Sequence, residues 1–149
     1  MKKPGAKAFV VYNKKLLLIL RDNNPGISFP NTWNLPGGGI EEGESGLETI
    51  RRELQEEIGV VPENILELGQ QTFEDGSILF RYLAKLTMDE YQNLKLGNEG
   101  QKMDFFSVDE AFKLDLAGYS KEYFIKYKNQ IKELIEENKI PKLELLDLV

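Results

Sequence analysis

Short apolar runs separated by turn-forming residues fill much of the chain and predict a protein rich in β-strands. Asn13-Lys14-Lys15 separates the first two runs and predicts a β-hairpin. Asp75-Gly76 separates two later runs, and this dipeptide is typical of hairpin turns. The segment 21–32 contains Asn, Pro and Gly at several positions and predicts a loop. The predicted strands cover 8–12, 16–20, 33–35, 65–73, 78–86 and 103–108.

A helix is predicted over residues 46–58. Ser45 is the expected N-cap, because Glu48 follows it by the three residues of a capping box. Gly59 is a natural residue to end the helix, because glycine adopts the left-handed conformation at little cost. Apolar residues at intervals of three and four predict one stripe that faces the core, formed by Leu47, Ile50, Leu54 and Ile58.

A second long helix is predicted from Ser120 to about Glu137, before Pro141 ends it. Its apolar residues have helical spacing: Tyr123, Tyr127, Ile131, Leu134 and Ile135. A short helix is also predicted after Ser107, because Glu110 has the capping-box spacing. Together these elements predict an α+β fold, in which the two long helices cover opposite faces of a mixed sheet.

The composition is typical of one domain over residues 1–149, which is long enough to bury a core without disulfides. Cysteine and histidine are both absent, so thiolate or histidine metal sites and Ser-His-Asp triads are excluded. The apolar C-terminal segment 143–149 is expected to pack on the domain or on a second subunit. Both a monomer and a homodimer therefore remain open.

The charge and hydropathy of the chain restrict its partners. The formal net charge is −6, which argues against a nucleic-acid polymer or an anionic membrane as partner. Neither a signal peptide nor an apolar run long enough to span a bilayer is visible, so we expect a soluble, cytoplasmic protein.

Three carboxylates, Glu53, Glu56 and Glu57, share one flank of the predicted helix 46–58. Their spacing brings like charges together, which is unfavourable unless cations neutralise them. Oxygen ligands of this kind suit hard divalent cations. We therefore expect Mg²⁺ as cofactor, with Mn²⁺ as a substitute. A solvated acidic helix flank is the alternative interpretation, and the glycine-rich segment 36–39 and Arg52 argue against it.

The segment from Gly38 to Val60 matches the pattern G-x5-E-x7-R-E-U-x-E-E-x-G-U at every fixed position, where U is aliphatic. This is the Nudix box, and the chain resembles the Nudix hydrolase family. The resemblance implies an α/β/α sandwich and metal-dependent hydrolysis of a phosphoanhydride in a nucleoside diphosphate linked to a group X. It also implies that Arg52 and Glu44 support the site, whereas Glu53, Glu56 and Glu57 bind the metal.

The family resemblance suggests two further metal ligands outside the three glutamates. One is the backbone carbonyl of the glycine loop, at Gly37, and the other is an acidic residue of a later loop, for which Glu99 is the candidate. Either Glu53 or Glu99 would be the general base. An ordinary exposed loop residue is the alternative interpretation of Glu99. Gly37 and Gly38 allow the main chain to approach a ligand closely.

Substrate-binding candidates are Arg21 for a phosphate and Asn34 for a base edge. Four aromatic residues are candidates for stacking on a base, although each is typical of a core position as well: Phe29, Trp33, Phe80 and Tyr82. The small size of the chain resembles MutT-like members of the family, which convert nucleoside triphosphates, oxidised purine forms included, to monophosphate and pyrophosphate.

Other substrates and classes remain as alternatives. ADP-ribose, nucleotide sugars and dinucleoside polyphosphates require the same chemistry. A Nudix domain that senses nucleotides without hydrolysing them typically lacks a box glutamate or the arginine, and this chain retains them all. A simple cation-binding protein would leave the glycine loop unexplained.

Overall fold

The computed structural model describes residues 3–149, except for the side chain of Tyr119. Within that range, seven strands form one mixed sheet. The strands are β1 (Gly5–Tyr12), β2 (Lys15–Leu20), β3 (Trp33–Asn34), β4 (Gly37–Gly39), β5 (Asn64–Thr72), β6 (Ile78–Lys85) and β7 (Lys102–Phe106). The helices are α1 (Gly46–Ile58), α2 (Met88–Gln92), α3 (Val108–Ala111), α4 (Gly118–Lys126), α5 (Lys128–Glu136) and a 3₁₀ helix (Leu143–Leu146). Among these helices, none combines the length and the apolar character needed to cross a bilayer.

The sheet has the strand order β3-β2-β1-β6-β5, with β1 parallel to β6 and the other neighbours antiparallel. Strand β4 also pairs with β1, and β7 pairs with β2. Asn13 and Lys14 join β1 to β2 with φ of 50° and 61°, as a two-residue hairpin turn of this hand requires. Gly76 similarly has φ of 83° in the turn between β5 and β6. Both predicted hairpins and the predicted mixed sheet are therefore confirmed.

Helices cover both faces of the sheet, as predicted. Alternate residues of β1 point to opposite faces, because side chains alternate along a strand. One face packs against α1 through Ala6, Ala8, Val10, Ile50, Leu54 and Ile58. The other packs against α4 and α5 through Phe9, Val11, Phe124, Ile131 and Leu134. The result is the α+β sandwich expected from the sequence.

Helix α1 has the predicted bounds and caps. Ser45 and Glu48 form both hydrogen bonds of the capping box, and Gly59 adopts the left-handed conformation at φ 77°. One predicted contact is wrong, because Leu47 is 42% exposed and does not face the core. Thr49 is buried at this end of the helix instead. Its hydroxyl donates to the Glu44 carboxylate.

The long helix predicted from Ser120 to about Glu137 is wrong in one respect, because the chain forms two helices there. Tyr127, with φ −112° and ψ 27°, leaves the helical conformation between α4 and α5. Phe124 and Ile131 lie on either side of this break and are both buried in the same core. Tertiary packing thus outweighs the continuous periodicity of the sequence.

Two short elements were not predicted from the sequence. Helix α2 has no buried residue, so it lacks the apolar stripe that reveals a helix. Its available signal was the capping box formed by Thr87 and Glu90. The glycine segment before α1 was predicted as a loop, but it forms strand β4. The sequence does not indicate a strand here, because glycine is depleted in strands.

The C-terminal segment packs on its own domain. Leu146 and Leu148 are buried in the core beneath α4 and α5. Gln70 of β5 and Val149 exchange two backbone hydrogen bonds, of 3.0 and 3.1 Å. The Tyr123 hydroxyl donates to the carbonyl of Leu146 at 2.6 Å. These contacts confirm the predicted docking of the segment on the domain.

The docked tail predicts unequal effects of two adjacent substitutions. Leu146→Ala should lower the free energy of unfolding by about 2–5 kcal/mol, because it empties a fully buried position. Leu145→Ala is the matched control, and it should change this free energy by less than about 0.5 kcal/mol, because Leu145 is 49% exposed. Urea denaturation measures both values. Equal destabilisation by the two substitutions would contradict a tail docked through Leu146.

Candidate functional site

The glycine strand β4 lies between β1 and α1 and forms the floor of the candidate site. Its residues pair with β1 in antiparallel register, with Gly37 opposite Lys7. Gly37 has φ 136°, and a Cβ there would overlap the carbonyl oxygen of Ala6. A Cβ on Gly38 would overlap the carboxylate of Glu53. Glycine is therefore required at position 37, because β4 and β1 approach too closely there for a Cβ, whereas Gly38 leaves space for the Glu53 carboxylate.

Arg52 connects the carboxylates of the site. Its Nε and Nη2 donate to the two oxygens of Glu44 at 2.8 and 3.0 Å, a bidentate pair. Its Nη1 donates to Glu53 at 3.0 Å and to Glu56 at 3.4 Å. The carbonyl of Gly39 in β4 also accepts from Nη2, at 3.3 Å. One guanidinium thus fixes three acidic side chains relative to the glycine strand.

The Glu44 carboxylate accepts hydrogen bonds from residues on both sides of the N-terminus of α1. Besides Arg52, the Thr49 hydroxyl donates to it at 2.8 Å and the Glu41 backbone N–H at 2.9 Å. The hydrogen bond from Arg52, followed by that from Glu41, lowers the pKa of Glu44 to about 2. The Glu48 carboxylate accepts from the Ser45 backbone N–H at 3.3 Å and belongs to the helix cap.

Glu57 faces the beginning of the glycine strand. Its Oε1 accepts from the backbone N–H of Gly37 at 2.8 Å. Burial raises the pKa of Glu57 to about 7, although Lys7 and the Gly37 N–H act in the opposite direction. The Lys7 ammonium donates to the carbonyls of Leu35 at 3.1 Å and Gly37 at 3.4 Å. A second cation therefore stands next to the acidic cluster.

Sequence reasoning did not identify Lys7. Its available signal was a charged residue within an otherwise apolar strand, between the buried Ala6 and Ala8. Burial lowers the pKa of Lys7, and the nearby charge of Glu57 opposes that shift. Lys7 could not be assigned to the site from spacing, because β1 is distant from the Nudix box in sequence and meets it only in the folded structure, where Lys7 pairs with Gly37.

Glu99 lies beside Glu57 in a small pocket of about 180 Å³, which Arg21 also lines. Its loop is fixed at both ends. The Gly97 N–H donates to the carbonyl of Glu57 at 3.0 Å, and the Gln101 amide donates to the carbonyl of Arg21 at 2.9 Å. The fold thus brings together two residues of distant loops and the end of α1.

The predicted substrate-binding side chains are partly engaged by the protein. Arg21 donates from Nε to the carbonyl of Ser28 at 3.0 Å. The Oδ1 of Asn34 accepts from the Leu35 N–H at 2.9 Å and from the Ser120 hydroxyl at 2.7 Å. Asn34 lines a second pocket, of about 250 Å³, which Lys7 also lines.

The four aromatic candidates have different surroundings. Tyr82 is buried in the core beneath α1, and Phe80 packs against the same core. Trp33 forms an edge-to-face contact with Phe106, with ring centroids 4.9 Å apart. Phe29 is exposed and lines the same second pocket as Asn34. Phe29 is therefore the one of the four that combines exposure with a place in that pocket.

The donor set suits a hard divalent cation. Glu53, Glu56 and Glu57 offer carboxylate oxygens, and the adjacent strand offers backbone carbonyls, which are the ligands that Mg²⁺ prefers. Among residues 3–149, no three acidic side chains stand close enough to share one ion. Arg52 spans Glu53 and Glu56 instead. The chemistry of the residues therefore fits the metal, with protein cations beside the carboxylates.

Comparison with known proteins agrees with this geometry. The family model described as NUDIX domain matches residues 1–127. An ADP-ribose pyrophosphatase of Methanocaldococcus jannaschii is 33% identical over 107 residues, which are 68% of this chain and 60% of that protein. An RNA pyrophosphohydrolase of Helicobacter pylori is 32% identical over 118 residues, 73% of this chain and 68% of that protein.

A solved structure extends the similarity to most of the chain. The MutT protein from Methanosarcina mazei is 26% identical, with a TM-score of 0.64, and the alignment covers 89% of this chain and 99% of that one. The chain spans about 60% of the length of the M. jannaschii relative. The residues that the family model matches, 1–127, include the sheet, the glycine strand and α1.

The Glu44–Arg52 pair predicts a titration that NMR can measure. The carboxyl carbon of Glu44 should titrate with a pKa of about 2, so the pair stabilises the fold above the unfolded pKa and is lost as pH falls through about 2. In Arg52→Met this pKa should rise towards its ordinary value. Asp109 is the internal control, because Lys132 on α5 lowers its pKa independently. An unchanged pKa of Glu44 in the variant would contradict the role of Arg52.

Proposed function

The chain belongs to the Nudix hydrolase family, and from that membership we propose that it hydrolyses a phosphoanhydride bond of a nucleoside diphosphate-X substrate with the help of Mg²⁺. The observation that supports this most is the position of the Glu53 and Glu57 carboxylates against the glycine strand, where Gly37 donates its N–H to Glu57 at 2.8 Å. Phosphates that approach this strand would meet both the carboxylate ligands and Arg52.

Glu53, Glu56 and Glu57 are the proposed metal ligands, together with the Gly37 carbonyl and Glu99. Bound there, Mg²⁺ would stabilise the charge that develops on the phosphate oxygens and activate a water. Mn²⁺ is the proposed substitute.

Arg52 and Glu44 are proposed to position these ligands. Arg52 holds Glu53 at 3.0 Å, and Glu44 holds Arg52 through a bidentate pair. Loss of either partner would release Glu53 from the orientation that it has beside Gly38. Both are therefore positioning residues in this proposal.

The attacking water must lose a proton, and Glu53 and Glu99 are the two proposed acceptors. Glu53 lies against the glycine strand, whereas Glu99 shares a pocket with Glu57 and Arg21. Arg21, Asn34, Gly37 and Gly38 are the proposed substrate contacts. Arg21 would bind phosphate from the Glu99 side, since both residues line that pocket.

A nucleoside triphosphate is the substrate that we propose. Water would add across the α–β anhydride, giving the nucleoside monophosphate and pyrophosphate. The similarity to the M. mazei MutT protein, of which 99% is covered, supports this choice. Oxidised purine triphosphates belong to the same proposed class.

ADP-ribose is the second candidate, because the M. jannaschii relative is named an ADP-ribose pyrophosphatase. Nucleotide sugars and dinucleoside polyphosphates require the same bond cleavage and remain in the substrate panel below. The name of the H. pylori relative adds a 5′-triphosphorylated RNA to that panel, although the net charge of −6 favours a small nucleotide.

A nucleotide sensor without hydrolytic activity is the alternative of another class. The complete set of box residues argues against it, because Arg52 engages Glu44 and Glu53 as an intact network. We also propose a cytoplasmic location for the protein and a monomer or a homodimer as its assembly. Its proposed partners are small nucleotides, without a nucleic-acid polymer or a membrane.

The proposal predicts Mg²⁺-dependent turnover that requires Glu53. Wild-type protein should release a monophosphate from at least one member of the nucleotide panel, and Glu53→Gln should lower kcat by about a hundredfold or more, because it removes a ligand or base. Chromatography of both products identifies the bond that is cut. Comparison with Glu99→Gln shows which residue is the base, since loss of the base lowers kcat more.

Glu42→Gln is the matched control for these variants, because Glu42 is an exposed glutamate in the loop before α1. It should retain wild-type turnover. Nucleotide binding without turnover on the whole panel, in folded protein with Mg²⁺ present, would contradict hydrolysis and support the sensor. Equal turnover in Glu53→Gln and wild type would contradict the proposed site.

A further inference from the structure

A second pocket is lined by Lys7 and by none of the carboxylates of the acidic cluster. It has a volume of about 250 Å³ and is lined by residues that include Lys7, Phe29, Asn34, Leu79, Arg81 and Ser120. Lys7 joins it to the candidate active site, because the same side chain donates to the Gly37 carbonyl of the glycine strand. A nucleotide with its phosphates at that strand would therefore have this pocket within reach of its base.

Arg81 stands in β6 directly beside Lys7 of β1 and is the least exposed charged residue of this pocket. It is only 3% exposed. Its Nε and Nη2 both donate to Oε1 of Gln71, at 3.1 and 3.0 Å. Its guanidinium carbon lies 3.7 Å from the centre of the Tyr123 ring. These contacts fix the plane of the guanidinium.

The protein supplies hydrogen-bond acceptors to only part of the Arg81 guanidinium. Within residues 3–149, no carboxylate pairs directly with Arg81, and its Nη1 has no hydrogen-bond partner. Burial lowers the pKa of Arg81 to about 10, so the group remains charged at neutral pH. Among the described residues no fully buried side-chain nitrogen lacks a partner, so Nη1 is accessible to solvent and open to a ligand that supplies an acceptor.

The neighbouring cations are already occupied. Lys3 forms an ion pair with Glu41 at 3.1 Å. Lys7 donates to two backbone carbonyls, and Glu57 is the nearby charge that most favours its ammonium form. Arg81, unlike Lys3 and Lys7, thus keeps a hydrogen-bond donor, Nη1, that is available to a ligand.

The other polar group of the pocket also favours an acceptor on the ligand. Asn34 uses its Oδ1 for Leu35 and Ser120, so its amide N–H₂ is what it can offer. An arginine is a donor in all its hydrogen bonds. The apolar side chains of Phe29 and Leu79 line the remaining walls and suit a flat ring. The pocket therefore fits a planar group with oxygen acceptors at its edge.

We propose that Arg81 is a specificity-determining residue, which donates from Nη1 to the 6-oxo group of a purine and so favours guanine-type bases over adenine. The inference rests on the proposed function, because it places the base of a hydrolysed nucleotide in this pocket. Guanine presents O6 and N7 as acceptors, whereas adenine presents an amino group at position 6. With adenine, the 6-amino group would face Nη1 of Arg81, so two hydrogen-bond donors would meet and Nη1 would gain no acceptor.

Inosine triphosphate and ATP are the matched substrates for the test. Inosine carries the 6-oxo group without the 2-amino group of guanine, so the pair isolates the edge that Arg81 would contact. Wild-type kcat/KM should be roughly tenfold or more higher for inosine triphosphate, as expected for one hydrogen bond to a charged group. In Arg81→Met the ratio of the two values should approach one.

Lys85→Met is the control variant, because Lys85 is an exposed cation on the same strand. Its ratio should equal that of wild type. An Arg81→Met variant in which both substrates lose activity equally, with the ratio unchanged, would assign Arg81 a purely structural role and overturn the inference. Urea denaturation of each variant identifies a folding defect.

A second measurement avoids dependence on the folding of Arg81→Met. Calorimetry of wild-type protein with inosine monophosphate and with AMP should show about tenfold tighter binding of the former. Equal affinity, or tighter binding of AMP, would overturn the inference even if hydrolysis is normal. Absence of turnover on every nucleotide would instead contradict the proposed function, so the two failures are distinguishable.

Discussion

Repulsion among acidic side chains is the constraint on which the site depends. Glu44, Glu53, Glu56 and Glu57 lie at or near one flank of α1, and like charges at such distances oppose folding. Arg52 neutralises the first three through direct contacts, and Lys7 lies beside Glu57. Gly37 of β4 pairs with Lys7 and must be glycine, because a Cβ there would overlap the Ala6 carbonyl of β1, and Gly38 leaves space for the Glu53 carboxylate.

Local features of the fold were predictable from the sequence, because they depend on neighbouring residues. Helix α1 has its predicted bounds, since Ser45, Glu48 and Gly59 act within a few residues of its ends. The break at Tyr127 was not predictable, because it follows from packing on a distant sheet. Lys7 was likewise missed, since the pairing of β1 with β4, distant in sequence, places it opposite Gly37.

Two pockets with different linings offer the two kinds of contact that a nucleotide hydrolase needs. The pocket with Arg21, Glu57 and Glu99 has the charges for phosphate and metal chemistry. The pocket with Arg81 has apolar walls and a fixed donor, which suit recognition of a base. Because the Nudix box contributes Glu57 to the first pocket and no residue to the second, the box sequence determines the reaction more closely than the substrate.

We propose that the α1 carboxylates bind the metal. The affinity of the protein for Mn²⁺, measured as a function of pH, is the direct test. Electron paramagnetic resonance of free Mn²⁺ would compare wild type, Glu57→Gln and the control Glu42→Gln. Because the pKa of Glu57 is about 7 and a carboxylate ligand must lose its proton, wild-type and control affinities should rise as pH increases through that value. Glu57→Gln should bind more weakly and lose this rise. Identical affinities in all three proteins would contradict the account.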